Sequence, residues 1–130
     1  MTRALTLIIR QEHRDTPIEI NVGSEVRGVT FSANGEYLLS GGEGGVRVWR
    51  VEDGTQVARI ETKTVSSLTV SKDGRRIAAG TYWGSVFVWD AETHEQVFKY
   101  KEDSHAIRGV NLSPDSTQLV SASDNGTAVI

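Results

Sequence analysis

The chain has 130 residues, no cysteine, and 14 Lys and Arg against 17 Asp and Glu, which gives a net charge of -3. This length allows one domain core, and the charge argues against an electrostatic grip on nucleic acid. The lack of cysteine excludes disulfides, thiolate zinc sites and thiol nucleophiles, and no apolar run is long enough for a signal peptide or membrane span. We therefore expect a soluble, cytoplasmic protein that does not bind membranes.

The first predicted elements are two short strands over residues 5–9 and 18–20, which form the end of an incomplete unit at 1–22. Spacing supports them: Ile20 follows Ile9 by 11 residues, and the same interval recurs twice later in the chain. An amphipathic helix over residues 4–14 is the alternative.

A longer repeat follows, in which similar segments begin at residues 26, 65 and 107. Each is rich in β-branched residues and runs into a turn, written Ser-Ala-Asn-Gly, Ser-Lys-Asp-Gly and Ser-Pro-Asp-Ser. Asn-Gly and Asp-Gly supply the positive φ that tight hairpin turns need. We predict that each segment is a first strand, over 26–31, 65–70 and 107–112, followed by a hairpin.

Further short strands complete each unit. They are predicted at 37–40, 46–49 and 56–60, at 76–79, 86–89 and 96–100, and at 118–121 and 128–130. Four antiparallel strands in about 40 residues form one blade of a β-propeller. The predicted fold is therefore all-β, with four-stranded blades at 23–63 and 64–103 and a partial blade at 104–130.

Sequence motifs in these strands and turns resemble those of the WD-repeat β-propeller family over about residues 18–130. The third strands read Val-Arg-Val-Trp-Arg and Val-Phe-Val-Trp-Asp, and the last unit contains Ser-Ala-Ser-Asp-Asn-Gly-Thr. The resemblance implies a buried network in each blade that joins a His, a Ser or Thr, an Asp and the Trp. By position, this chain retains Trp49 and Trp89 and the hydroxyls of Ser40 and Ser121 as structural residues.

The rest of that network is replaced. The positions of the His hold Val22, Glu61 and Asp103, the middle hydroxyl position holds Ala79, and the turn Asp is replaced by Trp83 or Asn125. A half-satisfied buried network costs more than an apolar one. We expect blades that are held together mainly by packing.

The ring is incomplete, because propellers close with about 4–8 blades and this chain holds about three. An open arc leaves apolar faces and strand edges uncovered at its ends. Two explanations stay open: the chain is a piece of a longer propeller, or several copies close a ring as a homo-oligomer. The repeat would place a third Trp near position 131, and the chain stops one residue short of it, which favours the first explanation.

Catalytic and metal-binding patterns are absent from the sequence. Its three histidines are isolated and lack metal-ligand spacing, and Ser104 and His105 beside Asp103 do not make a triad by adjacency. The Gly-rich segment 41–45 leads into a strand and lacks a following Lys, so it is a turn and not a phosphate cradle. We predict no enzyme activity, no cofactor and no metal.

Two aromatic residues, Tyr82 and Trp83, lie in the predicted turn between the second and third strands of the middle blade. In the family that turn belongs to the top face, where partners commonly dock, and large exposed aromatics anchor interfaces. The alternative is that Trp83 folds down to cap the blade core.

Two arginines, Arg27 and Arg108, occupy the same position in the first strands of their blades. Their guanidinium groups could bind acidic or phosphorylated segments of a partner. The alternative is that they are solvated and paired with Glu25 or Asp103. The resemblance implies a non-catalytic scaffold that binds a protein or peptide through its top face, and the net charge of -3 argues against nucleic acid as a partner. The alternatives are a structural segment of a larger multidomain protein whose activity lies elsewhere, and a propeller enzyme or lectin.

Overall fold

The computed structural model describes residues 6–12, 14–101, 105–124 and 128–129, and within them every regular element is a β-strand. The strands are β1 (Thr6–Ile9), β2 (Ile18–Asn21), β3 (Val26–Phe31), β4 (Tyr37–Gly42), β5 (Gly45–Arg50), β6 (Gln56–Glu61), β7 (Val65–Val70), β8 (Arg76–Thr81), β9 (Ser85–Asp90), β10 (Gln96–Lys101), β11 (Ile107–Leu112), β12 (Leu119–Ser123) and β13 (Ala128–Val129). The predicted all-β class is confirmed. The alternative of a helix at the N-terminus is wrong for residues 6–9, because β1 pairs with β2 as an antiparallel hairpin.

Four antiparallel sheets follow one another along the chain. We call them the N-terminal sheet (β1–β2), sheet I (β3–β6), sheet II (β7–β10) and sheet III (β11–β13), and in each the strands pair in sequence order. Sheets I and II have the four strands of a complete blade. Sheet II packs between sheets I and III, so the sheets are successive blades of an unclosed propeller.

The turn between the first two strands of each blade is closed by its own side chains. In sheet II the Ser71 hydroxyl donates to Asp73 Oδ1 at 2.7 Å, and the backbone N–H of Arg75 donates to the same oxygen at 3.0 Å. The N–H of Arg76 donates to Ser71 Oγ at 3.0 Å. The same bonds recur at residues 32–37 and 113–118. A short Ser and Asx pair thus provides each turn with local hydrogen bonds.

Strands β4 and β8 continue two residues beyond the predicted ends at Ser40 and Ala79. Small residues make this possible, since β4 finishes in two glycines. A Cβ on Gly42 would lie 2.0 Å from the carbonyl oxygen of Glu25. Only glycine therefore allows the pairing of β3 with β4 to continue as far as the loop that precedes β3.

Apolar side chains are buried between the sheets. The larger cluster joins sheet I to sheet II and contains Leu39, Val46, Val48, Ile60, Val65, Ile77, Ala79 and Trp89. A second cluster joins the N-terminal sheet to sheet I and contains Leu7, Ile9, Ile20, Leu38, Trp49 and Val51. Burial of these apolar side chains stabilises the packing of the sheets through the hydrophobic effect.

Both ends of the arc expose apolar side chains. Val29 and Phe31 on β3 are 55% and 53% exposed, whereas their counterparts in sheet II, Leu68 and Val70, pack against the larger cluster. The N-terminal sheet has only two strands, which leave β3 uncovered. At the other end, Val120 on β12 of sheet III is 38% exposed.

Candidate partner-binding site

The β8–β9 turn holds two exposed aromatic rings in a defined conformation. The backbone N–H of Tyr82 donates to the carbonyl of Thr64 at 2.9 Å, and Gly84 completes the turn with a φ of 90°. The Tyr82 and Trp83 rings are 6.0 Å apart and nearly perpendicular, at 79°. They are 41% and 56% exposed.

Trp83 therefore does not cap the core of its blade, and that alternative is wrong. The ring that fills this core is Trp89, which stacks on Phe87 at 5.6 Å with an interplanar angle of 3°.

Arg27 lies against Tyr82. Its guanidinium carbon is 5.3 Å from the centroid of the Tyr82 ring, within the range of a cation–π contact. Its Nε also donates to a carboxylate oxygen of Glu25. The predicted pairing of Arg27 with Glu25 is confirmed, and the two contacts together fix the guanidinium over the ring.

Arg108 forms a two-point ion pair with Asp124. Its Nε and Nη2 donate to the two carboxylate oxygens at 2.8 and 2.9 Å. This guanidinium holds the pKa of the Asp124 carboxyl below its usual value. Asp103, the expected partner, lies outside the described residues. The register of the β11–β12 hairpin could have predicted Asp124 as the partner of Arg108, because Ile107 pairs with Ser123 and these two residues follow that pair directly.

Tyr82 contacts Arg27, and hydrogen bonds to Asp124 raise the pKa of Arg108 above its usual value. The equivalent position in the middle blade is Ser66, whose hydroxyl donates to the carbonyls of Gly80 and Ile107. The structure brings Arg27, Tyr82 and Trp83 into contact, whereas Arg108 is paired with Asp124 within sheet III.

The four structural residues lie at equivalent places in the blades. Trp49 Nε1 donates to Ser40 Oγ at 2.9 Å, and both side chains are buried. Trp89 is buried in the middle blade, where Ala79 replaces the hydroxyl. Ser121 is buried at the same position in sheet III. One hydrogen bond of the family network is thus retained in sheet I.

Within the described part of the chain, no three His, Asp or Glu side chains come close enough together to hold a metal ion. Over the same residues, no helix is both long and apolar enough to cross a membrane.

The family model described as WD domain, G-beta repeat matches residues 17–50, 54–90 and 94–130. The chain belongs to the WD-repeat family. Each match contains the outermost strand of one sheet and the three inner strands of the next: β2 with β3–β5, β6 with β7–β9, and β10 with β11–β13. The WD-repeat unit of sequence is thus offset by one strand from the blade.

Curated relatives of this WD-repeat chain are much longer. It is 36% identical over 102 residues to the WD repeat-containing protein SL1-17 of Schistosoma mansoni, covering 75% of this chain and 33% of that protein. It is 25% identical over 126 residues to the transcription factor unc-37 of Caenorhabditis elegans, covering 87% and 21% respectively. The chain therefore spans a third or less of these relatives.

Solved structures with the same fold are also WD-repeat propellers. The β-propeller domain of Cps50 (Swd1) from Myceliophteria thermophila matches with a TM-score of 0.71 and 21% identity, over 94% of this chain and 36% of that one. The WD40 repeats of RRP9 match with a TM-score of 0.72 and 15% identity, over 96% and 40% respectively. At these identities the likeness concerns the fold.

Proposed function

We propose that this chain is a non-catalytic scaffold that binds a protein or peptide through the β8–β9 turn and the two arginines beside it. The observation that carries the proposal is the pair of exposed rings, Tyr82 and Trp83, held in a turn with its own backbone hydrogen bonds. Exposed Trp and Tyr are the side chains that most often dominate the binding energy of an interface. A rigid turn also lowers the entropy that binding must remove.

The arginines act mainly as supports for this surface. Arg27 is engaged by Glu25 and Tyr82, and Arg108 by both oxygens of Asp124. The patch is therefore close to electrical balance, and an acidic segment would have to compete with carboxylates already in place. We propose that the aromatic rings supply most of the affinity and that salt weakens binding only slightly.

The test is partner capture by the immobilised chain, with the double substitution Tyr82→Ala and Trp83→Ala. Capture should be lost while the β-sheet circular dichroism stays unchanged, since both rings are exposed. Phe98→Ala is the matched control, because it removes a similarly exposed ring elsewhere. Capture by the double variant at the native level would contradict the proposal, and loss of folding would show that the rings belong to the core.

A second candidate is a structural segment of a larger protein whose activity lies elsewhere. The open apolar faces at Val29 and Phe31 and at Val120 favour it, because blades bury such faces against neighbours. Those neighbours are either further blades or a second copy of the chain. Light scattering during size exclusion distinguishes them: a discrete multiple of 14.2 kDa indicates a homo-oligomeric ring, and a monomer or a polydisperse aggregate indicates further blades.

An intracellular place of action is part of the proposal. One relative is named as a transcription factor, which supports the nucleus as well as the cytoplasm. The net charge of -3 supports a protein partner over nucleic acid.

A further inference from the structure

A groove of about 610 Å³ lies between sheets I and II, at the end of the sheets opposite the Tyr82 turn. We call it the inter-sheet groove. Its apolar lining comes from both sheets: Tyr37, Leu39, Val48, Val57, Ala58, Val70, Ile77 and Ala91. Both sheets have four strands, so its walls are complete within this chain. Its size and apolar lining are those of a ligand site.

Small residues are prominent in the lining of this groove. They are Ala33 and Ala58 of sheet I and Gly74 and Ala91 of sheet II. Ala58 pairs with Val48 in the same register in which Phe98 pairs with Val88 in the next sheet. The repeat therefore places a phenylalanine ring where the groove has only a methyl group.

Negative charge surrounds the groove. Asp73, Glu92 and His94 line it, and hydrogen bonds from Ser116, Ser71 and the Arg75 amide hold the pKa of Asp73 below its usual value. The four turns at this end of sheets I and II carry the carboxylates Glu36, Glu52, Asp53, Asp73, Glu92 and Glu95 and the cations Lys72 and Arg75. Two further arginines there, Arg50 and Arg76, are paired with Asp53 and Asp90. The net field at this end is negative.

We propose that the inter-sheet groove binds a short extended peptide in which basic residues flank an apolar side chain. The apolar side chain packs against Val57, which is 42% exposed, and the basic side chains reach the carboxylates of Asp73 and Glu92. An apolar floor gives affinity, and the acidic rim selects the charge of the segment. This site is separate from the Tyr82 surface and takes a segment of different chemistry.

The probe is a blocked pentapeptide with a central leucine between two pairs of lysines, titrated into the isotopically labelled chain and followed by amide chemical shifts. Shifts should concentrate at residues that line the groove. Glu92→Lys should weaken binding about fivefold, because it reverses an exposed charge on the rim. Glu43→Lys makes the same charge change in the β4–β5 turn at the opposite end and should leave the affinity unchanged.

The steric test is Ala58→Phe, which introduces the residue that the next sheet has at this position and should abolish the shifts. If this variant loses β-sheet signal, Val57→Ser on the exposed rim replaces it and should weaken binding severalfold. Equal binding of a peptide with glutamates in place of the lysines would overturn the proposal. So would native affinity in the groove variant, or shifts confined to Val29 and Phe31. The Tyr82→Ala and Trp83→Ala substitutions should leave the affinity for this peptide unchanged, so either proposal can be refuted without the other.

Discussion

The buried hydrogen bond between Trp49 and Ser40 provides the sharpest test of how these blades are held. Trp49 Nε1 donates to Ser40 Oγ at 2.9 Å, and the two residues are 6% and 2% exposed. Ser40→Ala removes the acceptor and leaves the indole N–H without a partner in a site that water does not reach. The substitution should therefore cost the full desolvation of that donor, about 1–3 kcal/mol.

For a domain of this size, that loss lowers the melting temperature by roughly 3–5 °C per kcal/mol. The free energy of unfolding is measured by tryptophan fluorescence in urea for the native chain, Ser40→Ala, Trp49→Phe and the double variant. The cycle should give a coupling energy of about 1 kcal/mol, which is the bond itself. Ser24→Ala is the control, because its hydroxyl accepts only a long bond of 3.4 Å from Arg47. A coupling energy near zero would refute the assignment of this bond as a stabilising contact.

Two further predictions concern the backbone and the pH dependence. Gly42→Ala should destabilise the chain by about 2 kcal/mol or more, since the new Cβ would collide with the carbonyl of Glu25. Gly109→Ala is the control, because its Cβ would meet nothing within 4 Å and should not destabilise the chain. Equal melting temperatures for the two variants would contradict this prediction. Because the pKa of Asp73 is lowered in the folded state, its contribution is complete above about pH 4 and is lost as the pH falls through the folded pKa, below 3.8. Asp73→Asn keeps a side-chain acceptor in the turn, as Asn34 does in sheet I, and should reduce the loss of stability in acid. If this variant loses stability in acid as the native chain does, Asp73 is not the source of that loss.

Sequence alone was sufficient for the blades and their order. Strand positions follow from β-branched segments and from Ser-Asx turns, whose hydrogen bonds join residues two to five positions apart, such as Ser71 and Asp73. The Trp49 and Ser40 pair was also within reach, since the register of one hairpin brings them together. These features are encoded by near neighbours, so a repeat read along the chain is enough to find them.

Contacts between sheets were decided only by the tertiary structure. Two examples are the contact of Arg27 with Tyr82 and the groove that Ala58 lines, because each involves residues from different blades. Hydrophobic burial is not directional, and a pattern of alternating apolar residues does not say which neighbouring sheet will cover them. The partial N-terminal sheet covers Trp49 but leaves Phe31 open, and only the packed arrangement of the sheets determines that outcome.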